Sequence, residues 1–381
     1  MAEPDSSSQM KLTIACVQIN LRRASVDANS QRILQLLAAC PKVPDVVVLP
    51  ELAVTGYHYR SRELISPYLD DYAADKLREQ QLLPLQGKLL SLAQEISLKY
   101  QCFTLMGYPE KLDQHIYNLA VLVAPNGNLL HNYRKLFLYD ADYEFGCEEN
   151  PERGFRAVDI IFDKEYYLNR DPNKTYPATR TNIGICMDLN PYKFEAPFTA
   201  WEFANACYQQ QLTLILCLMA WLLPKSPLIV PNISDADKLG RGHQLERQFF
   251  GDNVYAKDHI NTEDDHLAMI VETTQNDEAD EQLFIPQQPS VLTINYWVLR
   301  FFPFLTFGRR QAGHYFDRAT VVCCNRVGVE DDVMYTGTSL IFQFGPLPVE
   351  LIHHDYRNPL VQLRGCMGQG EEGVLIREVA V

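Results

Sequence analysis

Short, nearly continuous apolar runs recur along this 381-residue chain, and polar or helical segments separate them. Runs of this length that are rich in Val, Ile and Leu are typical of strands covered on both faces. Such strands require other layers of structure on either side. The runs are Leu12–Ile19, Val46–Leu49, Cys102–Met106, Ile183–Met187, Leu212–Leu218 and Thr320–Cys323.

Amphipathic helical patterns lie between these runs. In the first of them, Ile33, Leu36 and Leu37 fall on one face of a helix. Strands that alternate with helices are typical of an α/β fold. The predicted helices span Asp27–Cys40, Leu85–Tyr100 and Phe194–Tyr208.

One connection differs from the others. The apolar runs Leu119–Ala124 and Leu129–Tyr133 flank a Pro-Asn-Gly-Asn sequence at 125–128. An Asn-Gly pair between two such runs is the strongest short signal for a β-hairpin. The hairpin adds an antiparallel pair to the alternating strands, so the sequence predicts an α/β layered fold with a mixed sheet.

No linker long enough to divide the chain is present, so we predict one domain over 11–381 after a flexible N-terminus, 1–10. The stretch from about 224 to 295 is polar, acidic towards its end and poor in periodicity, which indicates an insertion that is partly mobile. The aromatic run Tyr296–Leu305 is interpreted as core, with a lid or a partner surface as alternatives.

Charge and composition exclude several classes of protein. The formal net charge of -14 argues against a nucleic-acid binder, because phosphate binding requires a basic surface. No apolar stretch approaches the roughly 18 residues of a membrane helix. The first ten residues lack the features of a signal or transit peptide, so we expect a cytoplasmic protein, with a nuclear location also open, and reduced cysteines.

Three side chains suited to catalysis each end or follow an apolar strand. Glu51 follows a strand and a proline, Lys135 follows the hairpin, and Cys186 closes a strand. Alone, each has an ordinary explanation, since strand-end Glu and Lys are usually solvated and a Cys in an apolar run is usually core. Together they supply a base, a cation that stabilises an oxyanion, and a nucleophile.

The segments that carry these residues resemble the nitrilase superfamily of carbon–nitrogen hydrolases. Glu51 lies in PELAVTGY, Lys135 in NYRK and Cys186 in GICMDL, and the resemblance spans roughly 10–345. It implies a four-layer αββα sandwich, catalysis by Glu51, Lys135 and Cys186, and no cofactor. The later segments that add to the resemblance are Cys324–Glu330 and Gly337-Thr-Ser339.

A narrower likeness is to the fungal protein N-terminal amidases. It implies substrates that are peptides or proteins led by Asn or Gln, deamidated to Asp or Glu and thereby directed to arginylation and degradation. Most of the superfamily has an aromatic residue directly after the nucleophile. Here that residue is Met187, which agrees with the pattern of this narrower group. The segments that carry the likeness are Asn132–Tyr139, Cys186–Phe198, Met219-Ala-Trp221 and Asn295–Leu305.

The resemblance suggests further site residues. A second acid often assists in this family, and Glu149 is the first candidate, followed by Glu148 and Glu144. Asp188 is expected to lie in the loop above Cys186, where it could bind the substrate α-ammonium or instead cap the next helix. Tyr57 and Trp221 are the other candidates for substrate binding.

Two rival functions remain open at this stage. One is an amidase or nitrilase that acts on a small free metabolite, and the other is a non-catalytic scaffold of the same fold.

The GxGxxG spacing at 368–373 is not interpreted as a dinucleotide site, because no strand is predicted before it and too few residues follow. Cys323-Cys324 and His353-His354 lack the spacing of zinc ligands, so no metal is expected. A homodimer also remains open.

Overall fold

The computed structural model describes residues 11–71, 88–162, 178–251, 259–261, 284–305, 319–345 and 361–381. In chain order, its strands are β1 (Lys11–Gln18), β2 (Val46–Val48), β3 (Phe103–Leu112), β4 (His115–Val123), β5 (Leu129–Arg134), β6 (Val158–Ile161), β7 (Ala178–Ile185), β8 (Leu214–Leu218), β9 (His259–Asn261), β10 (Ala319–Cys324), β11 (Val327–Glu330), β12 (Val333–Thr336), β13 (Leu340–Phe344), β14 (Val361–Cys366) and β15 (Gly373–Ala380).

The α-helices lie between these strands in the sequence. No helix in the described ranges has the length and apolar character needed to cross a bilayer. In chain order they are α1 (Val26–Ala38), α2 (Arg62–Ile65), α3 (Lys88–Tyr100), α4 (Asp140–Glu144), α5 (Glu202–Gln209), α6 (Asp235–Phe249), α7 (Val291–Arg300) and α8 (Phe302–Leu305).

The strands form two large sheets and one small hairpin. The first sheet has the order β5-β4-β3-β2-β1-β15-β9, and the second has the order β14-β13-β10-β8-β7-β6. In each, a parallel centre is flanked by antiparallel strands: β1, β2 and β3 are parallel in the first, and β7, β8 and β10 in the second. The mixed sheets predicted from the sequence are therefore confirmed.

Side chains that alternate along each strand point to opposite faces of the sheet, and their contacts show which layers lie on each face. Ile14 and Cys16 of β1 belong to a buried cluster shared with the second sheet, whereas Ala15 and Val17 pack against α1 and α3 on the opposite face. In the second sheet, Cys217 and its neighbours on the outer face pack against α5, α7 and α8. The order helix, sheet, sheet, helix is the four-layer αββα sandwich that the resemblance implied.

Two predicted elements near the nucleophile differ from the structure. The strand predicted over Ile183–Met187 ends at Ile185, because Cys186 adopts a left-handed φ of 42°. The helix predicted from 194 begins only at Glu202, because Lys193, Phe194 and Trp201 also have positive φ and break the chain into short 3₁₀ turns. Left-handed backbone at non-glycine residues cannot continue a right-handed helix.

The segment 224–295 lies partly outside the described residues, at 252–258 and 262–283. Its described part contains α6, whose first turn is capped by the Ser234 hydroxyl accepting from Asp237 N–H at 3.1 Å. The pattern did not predict this helix, because few of its side chains are apolar. Its Gly242 packs against the Asp331 backbone, where an added Cβ would lie 1.8 Å from the carbonyl oxygen.

The aromatic run Tyr296–Leu305 belongs to the core, as predicted. It forms the end of α7 and all of α8, and its Trp297, Phe301 and Phe304 are fully buried against the outer face of the second sheet. Phe302 stays partly exposed and stacks on Trp201 at 4.7 Å between ring centroids.

Candidate active site

The carboxyl ends of strands from both sheets meet at one place in the fold. Glu51 follows β2, and its backbone N–H donates to Met219 O just beyond β8 at 3.3 Å, which joins the two sheets. Gly107 of β3 lies directly beneath, where an added Cβ would lie 2.8 Å from Pro50 O and 2.9 Å from Glu51 Cα. The absence of a side chain at 107 therefore allows β3 to support the Glu51 backbone.

A buried ion cluster surrounds Glu51. Lys135 Nζ lies 2.7 Å from Glu51 Oε1 and 2.7 Å from Asp142 Oδ2, and all three side chains are fully buried. The Asn118 amide donates to Glu51 Oε1 at 2.7 Å and to Asp142 Oδ1 at 3.0 Å. The other Glu51 oxygen, Oε2, is buried and has no hydrogen-bond partner among the described residues. Glu51 is therefore held through one oxygen and has the other available to accept a proton.

The electrostatics of the cluster keep the lysine charged and make the glutamate basic. Burial opposes the charge on Lys135, but the carboxylates of Asp142 and Glu51 raise its pKa well above the ordinary value. Burial raises the pKa of Glu51, while Lys135 opposes the rise. A carboxylate in dry surroundings that lies against a cation is suited to take and return a proton.

Cys186 stands at the end of β7, in a strained backbone conformation. Its φ of 42° lies in the left-handed region, which non-glycine residues adopt mainly where the surrounding structure imposes it, often at functional sites. Burial and the Glu51 charge raise the pKa of the Cys186 thiol well above its ordinary value, while Lys135 and a hydrogen bond from the Ala220 backbone lower it. The resting thiol is therefore neutral and needs a base, which Glu51 can provide.

Asp188 is fully buried and engaged on both oxygens. Oδ1 accepts from Leu136 N–H at 3.2 Å and Phe137 N–H at 2.9 Å. Oδ2 accepts from Ile185 N–H and the Tyr133 hydroxyl, each at 2.8 Å. These four donors fill the acceptor sites of a carboxylate. The geometry therefore favours a structural role over binding of the substrate ammonium. Asp188 does not cap a following α-helix; it joins the backbone before Cys186 to the residues that follow Lys135.

We expect Asp188→Asn to impair free and acetylated Asn-led peptides equally. The amide would direct its own N–H groups at a site that already contains only donors, and each unsatisfied buried donor costs about 1–3 kcal/mol. The measurements are kcat/KM for both peptides and the free energy of unfolding. A loss confined to peptides with a free N-terminus would instead assign the ammonium to Asp188.

The second acid in contact with Lys135, beside Glu51, is Asp142, seven residues after the lysine. The sequence analysis did not name it. Glu149 instead accepts from the hydroxyl groups of Tyr143 at 2.9 Å and Tyr192 at 2.8 Å. Glu148 pairs with His115 at 2.7 Å on the surface, and Glu144 is exposed at the end of α4. The assisting role of Glu149 stays a prediction; in the structure the carboxylate that shares Lys135 with Glu51 is that of Asp142. The feature of the sequence that could have indicated Asp142 is the acidic first turn of α4. In the structure Asp142 also accepts from Tyr139 N–H at 2.9 Å.

Tyr57 lies beside the ion cluster. The Lys135 ammonium stands 5.5 Å from the centre of its ring, and Tyr57 is almost fully buried. Its backbone N–H donates to Glu330 at 3.1 Å, and Glu330 in turn pairs with Arg326 at 2.7 Å. The segment Cys324–Glu330 thus supports the loop that carries Tyr57 and Glu51. Substrate binding by Tyr57 stays a prediction.

Trp221 lies three residues beyond β8 and, like Cys186, packs against the outer core of the second sheet. Its backbone N–H donates to Asn325 Oδ1 at 2.9 Å. Its half-buried ring contacts Tyr296 at 5.5 Å and Trp297 at 5.8 Å between centroids. The Tyr296 hydroxyl donates to Asn190 at 2.6 Å, which connects α7 to the loop after Cys186. Substrate binding by Trp221 stays a prediction as well.

The remaining sequence motifs have structural explanations in the described residues. Cys323 faces the outer core and Cys324 faces the core between the sheets, so they point apart. A strand does precede the glycines of the GxGxxG spacing, contrary to the sequence-based expectation, because β14 ends at Cys366. The glycines then lead directly into β15 without a helix, and a dinucleotide site requires that helix. His353-His354 lies outside the described residues.

Comparison with known proteins identifies the family. The family model for carbon–nitrogen hydrolases matches residues 13–162. The protein N-terminal amidase of Saccharomyces cerevisiae is 30% identical, over 97% of this chain and 95% of its own length. This chain belongs to the carbon–nitrogen hydrolase family.

Other relatives place this carbon–nitrogen hydrolase beside the same group. The protein N-terminal amidase of Schizosaccharomyces pombe is 28% identical, over 60% of this chain and 77% of its own length. A solved N-terminal amidase structure has a TM-score of 0.76 at 28% identity and covers 98% of each chain. Solved N-terminal amidase complexes with an Asn-Glu-Ala peptide and a Gln-Gly peptide have the same TM-score and identity.

Proposed function

We propose that this carbon–nitrogen hydrolase deamidates N-terminal Asn and Gln residues of peptides or proteins to Asp and Glu and releases ammonia. The observation that supports this chemistry is that the two carboxylate oxygens of Glu51 differ. Oε1 accepts from Lys135 and Asn118, and Oε2 has no hydrogen-bond partner among the described residues. The N-terminal amidases with Asn-led and Gln-led peptides support the choice of substrate.

The first half-reaction forms a thioester. Glu51 takes the proton of the Cys186 thiol while the sulfur attacks the side-chain carboxamide carbon, and the carbonyl electron pair moves to the oxygen. Lys135 and a backbone N–H stabilise this oxyanion. As the oxyanion collapses, the C–N bond breaks, and Glu51 delivers its proton to the departing nitrogen, which leaves as ammonia.

The second half-reaction hydrolyses the thioester. Glu51, again a carboxylate, removes a proton from water as the water oxygen attacks the thioester carbon. Collapse of the second oxyanion breaks the C–S bond, and the thiolate recovers a proton from Glu51. The product carries a carboxylic acid where the substrate carried a carboxamide, and this acid loses its proton to solvent. Throughout, Asp142 helps to keep Lys135 charged, through the contact of 2.7 Å.

We expect the purified protein to release ammonia from Asn-led and Gln-led peptides and far less from acetyl-Asn peptides or free asparagine and glutamine. Acetylation removes the positive charge beside the carboxamide and adds bulk there. The measurement is ammonia release under matched conditions, with the Cys186→Ala protein as the control for contaminating amidases.

The two rival functions predict different outcomes. Faster turnover of free asparagine or glutamine would identify an amidase of small metabolites. The absence both of ammonia from every amide and of a thioester by mass spectrometry would identify a non-catalytic scaffold. The buried cluster of Glu51, Lys135 and Asp142 supports catalysis, because a binding scaffold gains nothing from burying these charges.

The cellular setting follows from this activity as part of the proposal. N-terminal Asp and Glu produced here would serve as substrates for arginylation and subsequent degradation. A cytoplasmic location, with a nuclear one also open, suits such substrates. The segment at about 224–295 is proposed to be an insertion in the 11–381 domain, and α6, in its described part, packs next to β11.

A further inference from the structure

Asn118 occupies a central place in the ion cluster, to which the sequence reasoning gave no role. It lies on β4, directly opposite Lys135, whose backbone N–H donates to Asn118 O at 2.8 Å. Its side chain is 1% exposed and reaches both carboxylates of the cluster. Pairing of β4 with β5 therefore places one neutral amide between Glu51 and Asp142.

The orientation of this amide is set by its neighbours. The NH₂ group donates to Glu51 Oε1 at 2.7 Å and to Asp142 Oδ1 at 3.0 Å, so both hydrogens are used. Rotation of the amide by 180° would direct its oxygen at two carboxylate oxygens, which is repulsive. The observed orientation leaves Asn118 Oδ1 buried with no partner among the described residues.

An unsatisfied buried acceptor is unfavourable for folding and calls for an explanation. A leucine of similar size would remove this unpaired acceptor, but it would also take one donor away from Glu51 Oε1 and one from Asp142 Oδ1. The value of an amide at this position therefore lies in what its two donors do to these carboxylates.

The contacts of Glu51 show what those donors achieve. Lys135 and Asn118 both bind Oε1, so the remaining basic position is Oε2. We propose that Asn118 is a positioning residue that keeps Glu51 ionised and directs its free oxygen to the Cys186 thiol. This inference rests on the proposed function, since it assigns Asn118 to the same proton transfer.

The expected pH effect follows from the charges around Glu51. The hydrogen bond from Asn118 favours the carboxylate and lowers the pKa of Glu51, against the larger effect of burial, which raises it. Loss of the bond must raise that pKa further. Since the reaction needs ionised Glu51, the acid limb of kcat/KM should move to higher pH. The titratable groups that face Glu51 or the cluster are Lys135, Asp142, Cys186, Tyr57, Cys147 and Tyr335.

The test compares Asn118→Leu and Asn118→Asp with the wild type in ammonia release from an Asn-led peptide across pH. Leucine removes both donors, and aspartate keeps the shape of the side chain while replacing the donors with a carboxyl group. The matched control is Gln343→Leu on β13, which removes a buried amide that donates to Thr320 Oγ1 at 2.7 Å and Ala380 O at 2.9 Å, away from the site.

For both Asn118 variants we expect the apparent pKa of the acid limb of kcat/KM to move up by about one pH unit. We also expect kcat to fall about tenfold or more, with KM little changed. The Gln343→Leu acid limb should match the wild type. Circular dichroism identifies any variant that fails to fold, and the isosteric Asn118→Asp then decides the result.

An acid limb at the wild-type pH in a folded Asn118 variant would overturn the inference, as would an equal shift in Gln343→Leu. If the wild type releases ammonia and the acid limbs of the Asn118 variants stay at the wild-type pH, the positioning role of Asn118 is wrong and the proposed function stands. A wild type that releases no ammonia from any amide counts against the proposed function and the inference together.

Discussion

Cys186→Ala is expected to abolish ammonia release while leaving the fold intact. The substitution removes the proposed nucleophile, and loss of a nucleophile from a catalytic set typically costs several orders of magnitude in rate. Only the sulfur is lost, so the change in packing at this partly buried position is small. Turnover is measured by ammonia release, the fold by circular dichroism, and the thioester of the wild type by mass spectrometry.

A matched pair of variants completes this test. Cys186→Ser should fail nearly as badly, because a hydroxyl is much harder to deprotonate than a thiol, even beside Glu51. Cys40→Ala removes a thiol of similar partial burial just after α1 and should retain full activity. Wild-type turnover in Cys186→Ala would exclude the thioester mechanism.

Lys135→Met is expected to damage both catalysis and stability. Loss of one oxyanion-stabilising group usually lowers kcat by about 100- to 1000-fold, and KM should change little, because the ammonium helps most when charge develops on the carbonyl oxygen. The same substitution leaves the buried carboxylates of Glu51 and Asp142 without their cation. Breaking a buried ion pair in this way typically costs about 3–5 kcal/mol of unfolding free energy.

A compensating variant separates these two effects. In Lys135→Met combined with Asp142→Asn, one of the two uncompensated carboxylates becomes neutral. We expect part of the unfolding free energy to return, measured by denaturant unfolding, while ammonia release stays at the level of the single variant. A Lys135→Met protein with normal kcat and raised KM would mean that Lys135 only binds substrate.

The sequence alone determined the positions of the main strands and the residues at their ends. Apolar runs at 12–19, 46–49 and 212–218 predicted buried strands correctly, because the two faces of each strand pack against other layers. Glu51, Lys135 and Cys186 were predicted as the catalytic set because each ends or follows an apolar strand and because their three segments together resemble the nitrilase superfamily. Signals of this kind are local, since they depend on the order of neighbouring residues.

Only the tertiary structure decided which other groups act with them. Asn118 reaches Glu51 across a separation of 67 positions, and Asp142 joins the cluster through its contacts with Lys135 and Asn118. The acidic first turn of α4 marks Asp142 only as a carboxylate at a helix start, and nothing local shows that it contacts Lys135. The sequence left Asp188 with two possible roles, and its contacts favour the structural one, since Tyr133, Leu136 and Phe137 from a distant part of the chain donate to its oxygens. What a carboxylate or amide does depends on which donors and charges surround it, and the pairing of strands and the stacking of the two sheets place those partners.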